Sequence, residues 1–390
     1  MKQDISKSID ACAAHYGDDA EAMRHYLIEG DKSALALKNR GPISFDKDGN
    51  LSQHILQAYS EYGFYIFEGV LKQQELTEIK KDLQAMRTSF PQKPGGKITA
   101  DGLPALGSNC KAPNLIWSKP LGDPLGGTAI ANGRLQVKLF EPKPADDAPK
   151  AAPFILLGSL QFSDACLRTY AHPQLLKVAE AINGKDFAPL HECLFIKDPG
   201  VGAAVSWHQG GSTHWENDDF EENIHGFNFM AQVYGSTAVN GVWVLPSSHK
   251  QGKVDIKKLV HESGSERIKG AIPIVCNPGD VVICKRQLVH GSFANTGFEP
   301  RVTVNFGFHK RSSVLDVMGA GIHNAAQVFD EAHIEKRSQT IGLGIASRRL
   351  HFPEEQAYAY EPFEKSGKTF AWDDAAKQSL HDYNLGDLSI

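Results

Sequence analysis

"DVVICKRQLVHGSFANTGFEPRVTVNFGFHK", residues 280–310, reads as two strands joined by a turn. One apolar run closes at His290, and a second opens at Arg301. Asn295-Thr296-Gly297 between them is a turn signal, so the second strand comes back beside the first. Working outward, the same texture extends back to residue 186. Successive runs are "APLHECLFIK", "AAVSWHQ", "HGFNFMAQVYG", "GVWVLP" and "AIPIVCN", punctuated by Asp198-Pro199-Gly200, Asn240-Gly241 and Pro278-Gly279-Asp280. Seven or more short strands with this spacing predict a sandwich or barrel.

The flanks read differently. Residues 1–50 form a mostly helical N-terminal extension, and 52–63 read as a helix ending at Gly63. "KQQELTEIKKDLQAMRTSF" carries Leu76, Ile79, Leu83 and Met86 on one helical face. Residues 91–128 are dense in Gly and Pro and include Trp117, which predicts a folded loop over a pocket, a lid. Residues 163–183 read as two short helices broken at Pro173, and the extension 311–390 as mixed, with helices near 323–337 and 372–381. "GLG" (342–344) reads as turn glycines. The expectation is one catalytic domain over 1–390, mainly β with flanking helices.

The chain has 390 residues, 41% apolar, with a formal charge of −5, so it can bury a large core and shows no polyanion-binding surface. Its short basic runs read as solvated loop, and nucleic acid is not an expected partner. Cys12, Cys110, Cys166, Cys193, Cys276 and Cys284 form no C-x-x-C pair and read as reduced thiols. With no apolar leader and no stretch of membrane-spanning length, the expected location is cytoplasmic, without membrane attachment. No G-x-S-x-G, G-x-x-x-x-G-K-[ST] or H-E-x-x-H motif occurs.

His208 and His290 each end a strand and precede a small, flexible run. Two imidazoles so placed can meet across a barrel mouth and suit a mononuclear metal with open positions. Arg301, eleven positions after His290, opens the next strand. A buried Arg is costly unless it meets an anion. Two readings stand: a bidentate carboxylate ligand, or an internal Arg–Asp or Arg–Glu pair.

These residues together resemble the phytanoyl-CoA dioxygenase family of Fe(II)- and 2-oxoglutarate-dependent oxygenases. The matching positions are Trp207-His208-Gln209, Asn240-Gly241, Pro246-Ser247-Ser248-His249, His290-Gly291-Ser292 and Arg301, within roughly residues 55–310. The resemblance implies a double-stranded β-helix (jelly roll, cupin-like) with helices outside. It implies Fe(II) held by His208 and His290, with O2 as oxidant. It implies 2-oxoglutarate held at its distal carboxylate by Arg301 and Ser292, with Gln209 near its chelating end. Cys193, and Met230 or Gln232, would line the cosubstrate pocket.

One position departs from the family pattern. Gly210 stands where hydroxylating members have a metal-binding Asp. In related enzymes that install chlorine, Gly or Ala stands here and a halide takes the vacated position, so chloride is an expected ligand at Gly210. The other readings are a hydroxylase whose third ligand is water or Glu216, an Asp-to-Gly variant of a hydroxylase, and a non-catalytic binding protein on the same fold. His214, Trp215 and Glu216 are expected at the pocket mouth, where they and Trp117 would meet substrate. The expected substrate is a small metabolite with an unactivated C–H bond. Lys93, Lys97, Lys111, Lys119 and Arg134 either meet an anionic substrate or are solvated.

Overall fold

The computed structural model describes residues 5–210, 226–319 and 325–388. Among these residues four strands come first: β1 (Arg40–Gly41), β2 (Phe64–Phe67), β3 (Leu115–Ser118) and β4 (Ala152–Leu157). The motif-bearing region supplies eight more: β5 (Ala188–Lys197), β6 (Val205–His208), β7 (Phe227–Gln232), β8 (Trp243–Val244), β9 (Ile272–Pro273), β10 (Val281–Lys285), β11 (His290–Ser292) and β12 (Arg301–His309). A hairpin of β13 (Met318–Gly319) and β14 (Gln327–Val328) follows.

Strands β5 to β12 divide between two sheets. The larger runs β1-β2-β10-β7-β12-β5-β4-β3 and the smaller β6-β11-β8-β9. The chain crosses from one sheet to the other at nearly every step, and every pairing within this region is antiparallel. That is the double-stranded β-helix, with β5, β12, β7 and β10 forming one wall and β6, β11, β8 and β9 the other.

Period-two alternation decides what each wall presents. On β12, Val302, Val304, Phe306 and Phe308 turn outward into the main core, alongside Phe229 and Ala231 of β7 and Val281 and Ile283 of β10. Helices Gln73–Thr88, Asp164–Tyr170, Pro173–Asn183 and Glu331–His351 cover that face. Arg301, Thr303 and Asn305 therefore face the barrel interior, with Cys193 and Lys197 of β5 and Met230 and Gln232 of β7. At one end of the interior, Met230, Val282 and Cys284 pack on Val244 and Ile272 of the smaller sheet.

Helices Ser6–Ala14 and Ala20–Ala36 seal the outer face of the smaller sheet. Ile9, Met23 and Leu27 pack with Trp207, Trp243, Val289 and Phe293. The Tyr26 ring stacks on Trp243 at 4.4 Å. A Cβ on Gly30 would come within 2.4 Å of the Trp243 ring, so glycine sets this close approach.

The C-terminal helix departs from the sequence expectation. It runs Glu331–His351, capped by Asp330, whose carboxylate accepts the His333 N–H at 2.8 Å. Gly342 and Gly344 lie inside it rather than in a turn. The reason is packing: a Cβ on Gly342 would lie 2.4 Å from Phe370, and one on Gly344 2.7 Å from the Ala171 methyl. The second predicted helix shortens to Asp374–Ser379. Helix Gln53–Tyr62 ends as expected, with Gly63 left-handed at φ 84°. All six cysteines are free. Among the described residues no helix is long and apolar enough to cross a membrane.

Candidate active site

Strand β11 pairs with β6 so that His290 sits directly opposite His208, with ring centroids 4.1 Å apart. Trp207 and Val289 turn outward into the core beneath the N-terminal helices, so the histidines that follow them turn inward. Each Nδ1 lies against a backbone carbonyl two residues back: Ser206 O at 2.8 Å for His208, and Leu288 O at 2.7 Å for His290. A carbonyl only accepts, so Nδ1 donates in both rings. The lone pair of each Nε2 remains for a metal. Burial holds both imidazoles toward the neutral form that ligation needs, and the arginines nearby act in the same direction. The His290 value falls to about 4.

The other family motifs support this pair and Arg301. Ser248 Oγ accepts the Val289 N–H at 2.9 Å, fixing the strand at the residue before His290. His249 packs against Gly63, where a Cβ would sit 2.6 Å from its Nδ1, and its Nε2 bonds the Ser60 carbonyl at 3.0 Å. The Asn240 side chain caps its own turn by accepting the Thr237 N–H at 2.9 Å. The Asn240 backbone carbonyl accepts Arg301 Nη1, also at 2.9 Å.

Arg301 is only 2% exposed. Its Nε donates to Thr303 Oγ1 at 3.2 Å, and Thr303 in turn donates to Gln232 Oε1 at 3.1 Å. These partners are neutral, and among the described residues no carboxylate pairs with Arg301. Among the described residues the internal ion pair is therefore not formed, and the guanidinium retains capacity for an external anion there. Cys193 and Met230 lie opposite Asn305 on the two neighbouring strands, and Gln232 lies opposite Thr303, so all three share the Arg301 face.

Sequence reasoning missed Lys197. It is fully buried, in register with Arg301, and reaches across the barrel to donate to Ser292 Oγ at 2.9 Å and to the Phe293 carbonyl. Burial and the Arg301 charge push its ammonium well below the usual lysine range. Its place on β5, in the same parity as Cys193, was the available signal.

Gln209 corrects the expectation that it approaches the cosubstrate. Its Nε2 donates to Gly252 O at 2.9 Å and Gln287 O at 2.6 Å, while Oε1 accepts the Val254 N–H at 2.8 Å. Both amide donors are spent on backbone, which makes this side chain a brace between loops.

Gly210 lies against Arg286. Its N–H donates to Arg286 O at 2.6 Å. A Cβ there would meet Arg286 Cβ and O at 3.1 Å and Nε at 3.3 Å. Arg134 also acts on both histidines and on Arg286. Burial lowers Arg286 to about 9 and Arg134 to about 10. The third position beside the histidines thus carries no protein carboxylate on residue 210, and among the described residues Arg286 and Arg134 lie near it.

The remaining expected contacts sit elsewhere. Trp117 pairs across from Pro153 at the edge of the larger sheet. It lines an open groove of about 370 Å³ with Lys119, Asp123 and Lys138; neither histidine nor Arg301 borders that groove. Lys119 pairs with Glu141, and Lys93, Lys97 and Lys111 are exposed. The segment following Trp117 lies along residues 201–204, just before β6, with Leu121 N–H bonded to Val201 O at 3.0 Å and Ala204 N–H to Gly122 O at 2.8 Å. His214, Trp215 and Glu216 fall outside the described residues.

A jelly roll with two facing imidazoles at its mouth and, deeper inside, an arginine with no carboxylate partner among the described residues defines a metal-dependent oxygenase of the cupin type. The chain belongs to the phytanoyl-CoA dioxygenase family, whose model matches residues 59–303. It is therefore a member of the Fe(II)- and 2-oxoglutarate-dependent dioxygenase superfamily of oxidoreductases. Mouse peroxisomal phytanoyl-CoA dioxygenase is 27% identical over 181 residues, which cover 40% of this chain and 49% of that protein. The match thus spans about half the length of that relative. Among solved structures, iron-bound EctD from S. alaskensis is 17% identical with a TM-score of 0.47, covering 70% of this chain and 81% of that one. The non-heme alpha ketoglutarate dependent epimerase SnoN is 14% identical with a TM-score of 0.41, covering 64% and 77%.

The residues fit the metal and cosubstrate that membership implies. Two backbone-oriented imidazoles offer Nε2 donors, and Arg301 lacks a carboxylate partner among the described residues. The fit is incomplete at the third protein ligand, where Gly210 has nothing to offer.

Proposed function

We propose that this protein is an Fe(II)- and 2-oxoglutarate-dependent enzyme that halogenates an unactivated C–H bond of a small metabolite. Iron, with 2-oxoglutarate and O2, supplies the oxidising power to remove hydrogen from such a bond. His208 and His290 hold the metal through Nε2, their Nδ1 protons engaged by Ser206 O and Leu288 O. Arg301 receives the distal carboxylate of 2-oxoglutarate. Ser292, whose oxygen accepts from Lys197, can donate a hydrogen bond from its own hydroxyl to the same carboxylate. Gly210 leaves the third position open, and chloride would take it.

The observation that carries this reading is Gly210 itself, beside an in-register histidine pair and against Arg286. Mass spectrometry of the product with and without chloride tests it. A product in which chlorine replaces hydrogen supports halogenation; a purely hydroxylated product at saturating chloride rejects it. Hydroxylation is the second reading, favoured by membership in a dioxygenase family. Water, or Glu216, would then complete the ligand set.

A further inference from the structure

Cys110, in the Gly- and Pro-rich segment, lies beside His381 and Asp382, which follow the short C-terminal helix Asp374–Ser379. One donor atom from each falls within 4.8 Å of the others. Cys110 Sγ is 3.9 Å from His381 Nε2, and His381 Nδ1 is 3.1 Å from Asp382 Oδ2. None of the three belongs to the histidine–arginine site described above.

Asp382 points to what the cluster is for. Its side chain is 8% exposed. Oδ1 accepts the Lys111 N–H at 3.2 Å, and the buried Oδ2 faces His381 Nδ1 at 3.1 Å. A buried carboxylate facing an imidazole and a thiol is stabilised when a cation is shared among the three. The residue also holds a left-handed backbone, φ 60°, which a non-glycine residue adopts at a cost. Gln161 braces the group: its Oε1 accepts the Asp382 N–H at 3.1 Å and lies 3.7 Å from Cys110 Sγ.

We propose that Cys110, His381 and Asp382 form a second metal site of the zinc class, clamping the Gly- and Pro-rich segment to the C-terminal tail. One thiolate, one imidazole and one carboxylate balance a divalent charge. That mixed set suits zinc in tetrahedral geometry, whereas Ca²⁺ and Mg²⁺ prefer all-oxygen sites. His381 is 39% exposed, so water can supply the fourth ligand. Without metal, burial and Asp382 push the Cys110 thiol up to about 11, which also argues against a free nucleophilic thiolate. Zinc binding displaces that thiol proton to solvent as the S–Zn bond forms.

The test uses the full chain loaded with iron and 2-oxoglutarate, dialysed against micromolar zinc and then analysed for both metals. One zinc per chain should be retained by the wild type and lost in Cys110→Ser and His381→Gln, with 2-oxoglutarate affinity unchanged. Co(II) in place of zinc should give the wild type a near-ultraviolet thiolate-to-cobalt band that Cys110→Ser lacks. The proposal is overturned if the wild type keeps no zinc and shows no cobalt–thiolate band. It is equally overturned if Cys110→Ser keeps the zinc while His208→Ala loses it, since the metal would then occupy the histidine pair.

Discussion

Gly210→Asp is the substitution that bears most directly on halide use. Gly210 is outside the left-handed region, so a side chain meets no backbone strain there. Its Cβ would lie 3.1 Å from Arg286 Cβ and O, a few tenths of an ångström inside comfortable contact. Overpacking of this kind destabilises by about 1–2 kcal/mol. The carboxylate would reach toward the Arg286 guanidinium, whose Nε is 3.3 Å from the new Cβ. The variant should therefore be about 1–2 kcal/mol less stable than the wild type when metal-free. With a third protein ligand, it should bind Fe(II) at least about tenfold more tightly, about 1.4 kcal/mol. Chloride should cease to perturb the iron spectrum, and the product should shift toward hydroxylation. Gly210→Ala is the control: it meets the same contacts without the carboxylate, should lose about 1–2 kcal/mol of stability, and should keep its chloride response. A Gly210→Asp enzyme that folds, binds iron, still responds to chloride and still chlorinates would refute the assignment of the halide to this position.

Arg301→Ala should weaken 2-oxoglutarate binding by about 2–5 kcal/mol, well over tenfold, in titration calorimetry; normal affinity in the folded variant would make Arg301 structural. Glu192 is fully buried and accepts from Ser159 and Tyr383, and burial raises its carboxyl from 4.5 to about 7. Its contribution to stability is complete below pH 4.5 and is lost as pH rises through about 7, a swing of about 3 kcal/mol. Denaturant melts across that window should be flatter for Glu192→Gln than for the wild type; parallel curves would remove Glu192 from the pH response. Gly30→Ala drives a methyl into the Trp243 ring at 2.4 Å. Overpacking should outweigh a helix-propensity gain of about 1 kcal/mol, and calorimetry should record a net loss of about 1–2 kcal/mol.

The sequence conveyed the barrel because its period-two runs and turn residues are local signals. His208, His290 and Arg301 could be paired because each sits at a strand end, where register follows from the turn. Spacing along the chain does not show which way a loop side chain points. That is why Arg286, in the connection between β10 and β11, and the bracing role of Gln209 went unread. Lys197 was hidden for another reason: a lysine at the end of an apolar run looks like a strand terminus, and only pairing with Arg301 reveals that it faces inward. Gly342 and Gly344 were misread because helix-breaking propensity is a local property, whereas their contacts with Phe370 and Ala171 are tertiary.

The seal over the smaller sheet dictates an order of events during synthesis. Residues 6–36 leave the ribosome well before the surfaces they cover, Trp207, Trp243, Val289 and Phe293, which emerge roughly two hundred residues later. Helix Ala20–Ala36 has no apolar face to dock on until then, and an isolated helix of this length is marginal in water. The jelly roll itself is equally late, because β5 waits for β12, more than a hundred positions downstream. Folding is thus strongly non-local, and the nascent chain must carry an unshielded amphipathic segment until those surfaces appear. Chaperone dependence should follow from this, and removal of residues 1–36 should yield aggregation rather than a smaller working enzyme, since it strips the cover from two buried tryptophans.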